Sequence, residues 1–375
     1  MADDTRIKDA LPTLKYLIKQ KARIILLSHL DRPDGHHKNT KSLWPAAEKL
    51  GELLGLKVVK IKDHLPDYSV QHINFLPADI TKSDYVQMSR DLPGGSILFL
   101  ENLRFYKGEE DNSEGFIDLL AGFGDVFVNE AFSMAHRREA STFGLARKLP
   151  AYAGLSFMKE IRSFSKVMKD PQKPLVMLIG GIKIEDKVGT IHSLAKEASN
   201  IIVGGGVANT FLKAHGYEVG KSKTSDIAVA RELLRHYKDK IVLPVDIVVA
   251  TSLEARARVT PIDKVRPEES IFDIGPKSIR KFAGIIKGAK TLVWNGPFGL
   301  IEQPRYANGS KALALIFASR SKGRAFGVIG GGETAQVVDQ AKVSQFVDHV
   351  STGGGAMLEF LSGKQLPAIK ALNHA

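Results

Sequence analysis

The 375-residue chain predicts an α/β protein of two domains with parallel sheets. Three observations carry this expectation. Short Val/Ile/Leu runs alternate with helix-like stretches along the whole length, the pattern of βαβ units whose strands are buried on both faces. Five such runs in the second half end in glycine clusters: PLVMLIGGIKIEDK (174–187), IIVGGGVANTFL (201–212), TLVWNGPFGLIE (291–302), AFGVIGGGETA (325–335) and VSTGGGA (350–356). The length exceeds what one core comfortably holds and suits two.

The elements follow in order. Arg6 precedes a helix that Pro12 is expected to open, with Leu14, Leu17 and Ile18 on its apolar side. Strands are expected at ARIILLSH (22–29), LKVVKI (56–61), SILFLEN (96–102) and DVFVNEAF (125–132), with a helix through Ala47, Leu50, Leu53 and Leu54. Residues 151–169 read as one helix, because Leu155, Met158, Ile161, Phe164 and Val167–Met168 form a stripe at helical spacing. Asp170-Pro171-Gln172-Lys173-Pro174 ends it. The domain junction is placed in this helix: 1–150, the helix 151–169, 170–356, and a tail 357–375. LPAIKALNHA (366–375) is too short to fold alone and must pack on something.

Composition narrows the function. Apolar (43%) and charged (25%) fractions are those of a globular protein, and no apolar run approaches the roughly 18 residues of a membrane helix. Zero cysteine excludes disulfides, thiol catalysis and Cys-ligated metals, and accords with a reducing compartment, the cytoplasm. The net charge of +12 favours anionic partners. No cluster of aromatic and basic residues resembles a nucleic-acid module, so small phosphates lead over a nucleic acid or another anionic polymer.

A strand that runs into glycines and then a helix presents bare backbone N–H groups to an anion. Neither GxxxxGK[ST] nor GxGxxG occurs. In GGIKIEDK, Lys183 and Lys187 lie four apart; on a helix start they share a face and reach one phosphate, or else they belong to a solvated first turn. In GGGET, Glu333 and Thr334 cap a helix or hold Mg²⁺ beside a nucleotide. Trp294 is read as core, while Asn295 and Glu302 are turn and surface residues or contacts to phosphate and ribose. In the first half, His29 and Arg32, Arg104, and His136 with Arg137 each follow a strand. Taken singly each is a surface charge or cap. Gathered at one end of one sheet they would repel each other unless an anion sat between them.

These motifs together resemble the phosphoglycerate kinase family. The likeness runs from Asp4 to the tail on SHLxRPDG, LENLRF, AHRxxAST, GGxKxxDK, GGGxAxTFL, LPVD, DIGPKS, VWNGPxGxxE, GGGxTA and STGGGA, in the family's order. The resemblance implies two Rossmann-like three-layer domains joined by a long helix, with the tail returning to the N-terminal domain. It implies reversible transfer of the acyl phosphate of 1,3-bisphosphoglycerate to Mg·ADP, by a monomer, with the two substrates on different domains. Arg6, Lys183, Gly331 and Gly354 then correspond to the reacting centre, with Arg6 neutralising the phosphoryl group in flight. His29, Arg32, Arg104 and Arg137 correspond to the phosphoglycerate patch. Lys187, Gly205, Gly206, Gly275, Asn295, Glu302, Gly330, Gly332, Glu333 and Thr334 correspond to the nucleotide site, with Glu333 as the Mg²⁺ ligand.

The chain also departs from the family. Asp31 stands for a usual glycine, Glu130 for Asp, Ser133-Met134 for Gly-Thr, Arg138-Glu139 for Ala-His, Ile182 for Ala and Glu333 for Asp. The family's opening strand, close to RVDFNVP, has no counterpart among the 375 residues. If that strand is truly lacking, the first domain is expected to be poorly stable, and the alternative is a nucleotide-binding relative with impaired catalysis.

Overall fold

The computed structural model describes residues 4–61, 72–81 and 85–373, and the chain divides into two compact units, 1–159 with 365–375 and 160–364.

The first unit is built on parallel strands β1 (Ile24–Leu26), β2 (Lys57–Lys60), β3 (His72–Leu76) and β4 (Ile97–Leu100), in the order β1-β4-β3-β2. A second ladder pairs β5 (Phe127–Asn129) with β6 (Ala151–Ala153), also parallel. Alternation decides the faces. Ile24 packs with Ile73, Phe75 and Phe99 under the helices Thr5–Lys19 and Trp44–Leu54. Ile25 and Leu27 pack on the other side with Leu98, Leu100, Phe116 and Phe127. The tail forms a short helix, Pro367–Leu372, whose Ala371 packs against Ala146 and Ala151 while the Ala368 N–H donates to the Ala135 carbonyl. The last two residues of LPAIKALNHA lie outside the described ones.

Three expectations shift here. The first helix starts at Thr5, not at Pro12, so Pro12 lies inside it and Arg6 stands in its first turn. The helix expected over 151–169 spans Leu155–Lys169. Residues 151–153 instead continue the ladder of β5, and Gly154 marks the break, where a Cβ would run into the Glu130 carboxylate. Strand β3 went unread.

The second unit holds a six-stranded parallel sheet, ordered β15-β14-β13-β7-β8-β9. Its strands are β7 (Leu175–Ile179), β8 (Ala198–Val203), β9 (Ile241–Val242), β13 (Thr291–Asn295), β14 (Phe326–Gly330) and β15 (His349–Ser351). Chain order runs outward from β7 on one side and from β13 on the other, so the switch in direction falls between β7 and β13, where such sheets bind ligands. Trp294, fully buried, packs with Leu292, Val176 and Leu178 against Phe282, Phe298 and Phe317. Between β9 and β13 the chain makes an antiparallel sheet of β10 (Asp246–Ala250), β11 (Arg258–Pro261) and β12 (Ser270–Ile274), which the parallel expectation did not foresee.

Candidate active site

In the first unit, the chain leaving β1, β4 and β5 brings His29, Arg104 and Arg137 into one electrostatic group, while nothing among the described residues ties Arg32 to it. Arg104, buried, donates from one terminal nitrogen to Glu139 at 2.8 Å and from the other to the Asp31 carbonyl at 2.9 Å. Its Nε lies 3.8 Å from Glu110. Arg137 approaches the same Glu139 oxygen at 3.5 Å. His29 feels Arg104, Glu139, Arg6 and Arg137. Arg6 and Arg32 are exposed, and neither has an ion pair among the described residues. Asp31 sits at φ +54°, the left-handed conformation that glycine adopts freely and Asp tolerates, and pairs with Lys41.

Two findings differ from the sequence reading. Mutual repulsion among the cations is relieved from within: Glu139, buried, is the counter-charge for Arg104 and Arg137. Its signal was present as the Arg138-Glu139 departure, but sequence cannot tell which way a side chain turns. Glu109 then fixes the segment, accepting from the Ser141 N–H at 3.0 Å and its hydroxyl at 2.5 Å; burial pushes Glu109 up to about 7.

His29 is not a cation at neutral pH. Burial, and after it the Arg104 charge, push it down to about 4, with Glu139 opposing. The sign follows from linkage. A histidine harder to protonate folded than unfolded contributes stability that is complete above its unfolded pKa of about 6.5 and is lost as pH falls toward 4. His29→Gln should remove part of the acid loss, on the order of 2–3 kcal/mol between pH 7 and pH 4.5. Urea midpoints of both proteins at the two pH values check this, and parallel losses would show that His29 titrates normally.

In the second unit, the glycines lie at the carboxyl ends of the strands and hold each other close. The Gly180 N–H donates to the Asn295 carbonyl, and the Gly181 N–H to that of Pro297, tying β7 to β13 at the switch. Gly296 (φ +87°) passes so near Gly180 that a Cβ would collide with its backbone. Gly205 and Gly206 open the helix Gly205–Ala214 against the Gly181–Ile182 backbone. Gly331 (φ +99°) faces Gly354 across the ends of β14 and β15, where a Cβ on Gly354 would come within 3.0 Å of the Gly331 Cα. Glycine is needed here because turns of adjacent strands nest together, and the N–H groups of Gly180, Gly181, Gly205, Gly296 and Gly331 are engaged within that nest.

Lys187 is buried just before the helix Val188–Ala195, and Lys183 lies in the preceding loop, so the two do not share a helix face. Burial holds Lys187 below the usual lysine range, against Asp186, Glu333 and Glu185. Lys187 feels both the Lys183 charge and that of Glu333, which stands exposed in the first turn of the helix Gly332–Gln340, after Gly330. Asn295 and Thr334 are buried and engaged: Asn295 Nδ2 donates to the Gly330 carbonyl at 2.8 Å, and Thr334 Oγ1 accepts from the Gly296 N–H at 2.8 Å. Gly275 precedes the helix Pro276–Gly288 and leaves room for the Asp246 carboxylate, which accepts from the Lys277 and Ser278 N–H groups. Glu302 is exposed beyond the β13 turn.

One unit thus carries a group of cations following parallel strands, and the other a glycine-lined, lysine-bearing switch point. These features define a class, α/β proteins built to hold phosphorylated ligands. Within that class the chain belongs to the phosphoglycerate kinase family, whose model matches residues 1–364. It is 44% identical over 379 residues to the phosphoglycerate kinase of Pelotomaculum thermopropionicum and 41% identical over 380 residues to that of Moorella thermoacetica, covering 99% of this chain and 92% of each relative. Among solved structures, the phosphoglycerate kinases of Coxiella burnetii (37% identity, TM-score 0.81) and Pyrococcus horikoshii (27% identity, TM-score 0.84) match 100% of this chain and 92% of theirs.

Proposed function

We propose that the chain is a phosphotransferase that moves the acyl phosphate of 1,3-bisphosphoglycerate to Mg·ADP, giving 3-phosphoglycerate and ATP, and runs in reverse. The observation that carries this is the pairing of two chemically different phosphate-binding sets on two separate α/β units. The attacking atom is an ADP phosphate oxygen, already ionised, so the protein supplies alignment and charge neutralisation and no general base. Arg32, Arg104 and Arg137 hold the phosphoglycerate, with His29 as a neutral hydrogen-bonding group. Lys183 and Lys187 hold the nucleotide phosphates, and Gly330–Gly332 and Gly354 leave room for them. Asn295 acts from behind, fixing the β14 turn, while Glu302 faces the ribose.

Glu333 fits a magnesium ion. Its carboxylate is exposed, is a hard oxygen donor and has no ion pair among the described residues. Those residues include no group of three or more candidate metal ligands. A single carboxylate suits Mg²⁺, which keeps several waters and binds substrate phosphates. When bound, the ion neutralises charge on the nucleotide phosphates. Thr334 contributes through its bond to Gly296 rather than as a ligand. The enzyme is read as a cytoplasmic monomer, as the family resemblance implies. No helix among the described residues is long and apolar enough to cross a membrane.

A coupled assay of ATP and 3-phosphoglycerate consumption tests this. Turnover should require Mg²⁺, and Glu333→Ala should raise the Mg²⁺ for half-maximal rate several-fold while Glu333→Asp is tolerated. Nucleotide binding by calorimetry without turnover would instead favour the impaired relative.

A further inference from the structure

We propose that the first unit carries a second anion site, separate from the phosphoglycerate set, for a small molecule bearing two or more phosphate groups. It is a depression of about 710 Å³ between the segment 138–147 and the tail, within the 300–1,000 Å³ range of small-molecule sites. Arg138, Arg147 and Lys370 line it, with the Gln365 amide beside them and no carboxylate among the lining residues. Both guanidinium groups lie over the one Phe143 ring, with their carbons 5.4 and 5.6 Å from its centroid. Cation–π attraction holds both groups near the ring, and no hydrogen bond within the described residues takes up their N–H groups. None of the three cations has an ion pair among the described residues.

Glu139 holds Arg104 and Arg137, and Asp118 and Glu114 hold Lys148. Two guanidinium groups over one ring, with the Lys370 ammonium lining the same depression, repel each other, and an anion between them relieves this. Guanidinium forks match phosphate oxygens in pairs, which favours phosphate over carboxylate. Phe143 belongs to a π-helical turn, Ala140–Gly144, a conformation that recurs at functional sites.

The test follows the arginine Nε–Hε signals of the full ¹⁵N-labelled chain, assigned with Arg138→Gln and Arg147→Gln, during titration with sodium tripolyphosphate at about 0.1 M salt. The Arg138 and Arg147 signals should move together and saturate with one Kd below about 1 mM. Lys370→Gln, an exposed change, should raise that Kd about fivefold or more, and Arg32→Gln should leave it unchanged. Citrate should bind at least several-fold more weakly. Signals that stay still or drift without saturating, a Kd indifferent to Lys370→Gln, or equal binding of citrate would each overturn the assignment.

Discussion

Arg6→Ala is expected to lower kcat about 10³-fold or more while changing the Kd of 3-phosphoglycerate only a few-fold, the scale of an arginine that meets the transferring phosphoryl group. The structure separates Arg6 from the other cations. Arg104 and Arg137 are already committed to Glu139, so their charge is partly compensated before any ligand arrives. Arg6 is exposed in the first turn of its helix, with no ion pair among the described residues, yet close enough to act on His29. A free guanidinium can meet charge that appears only during transfer, and such an interaction raises kcat rather than ground-state binding. Steady-state kinetics with calorimetry decide it. A loss confined to KM would assign Arg6 to binding alone.

The same contrast shows what the sequence could convey. The parallel sheet of the second unit was legible because strands buried on both faces are short continuous apolar runs, and the glycine clusters marked their carboxyl ends. The antiparallel β10–β12 sheet was not read, since DIVVA, RVTP and SIFDI are also short apolar runs and pairing direction leaves no local mark. Ala151–Tyr152–Ala153 read as helix because a stripe at helical spacing follows it, and only the ladder to β5 overrides that. For the site, residue types and positions were legible but engagement was not. Asn295 and Thr334 look like ligands by motif, yet their polar atoms bond across turns to Gly330 and Gly296. Glu139 carried only the signal of an unusual residue, and what it does depends on Arg104 being buried beside it.

Glu139→Gln tests that last point, and stability and binding should move in opposite directions. The substitution keeps the shape and removes the charge. Arg104 stays buried with Glu110 at 3.8 Å as its remaining counter-charge, so the ligand-free protein should lose about 3 kcal/mol, the scale for breaking a buried pair. The carboxylate also repels any incoming phosphate or carboxylate. Two unit charges 8 Å apart at an effective dielectric of about 20 interact by roughly 2 kcal/mol. Removing that repulsion, and freeing Arg104 and Arg137 to bond outward, should tighten 3-phosphoglycerate about tenfold or more. ADP binding on the other unit should not change. Saturating 3-phosphoglycerate should then restore much of the lost melting temperature, since a ligand that binds only the folded state stabilises it by mass action. Calorimetry and thermal melts of the two proteins with each ligand give all four quantities. Weaker phosphoglycerate binding in Glu139→Gln would mean that Glu139 positions the arginines for the substrate rather than competing with it.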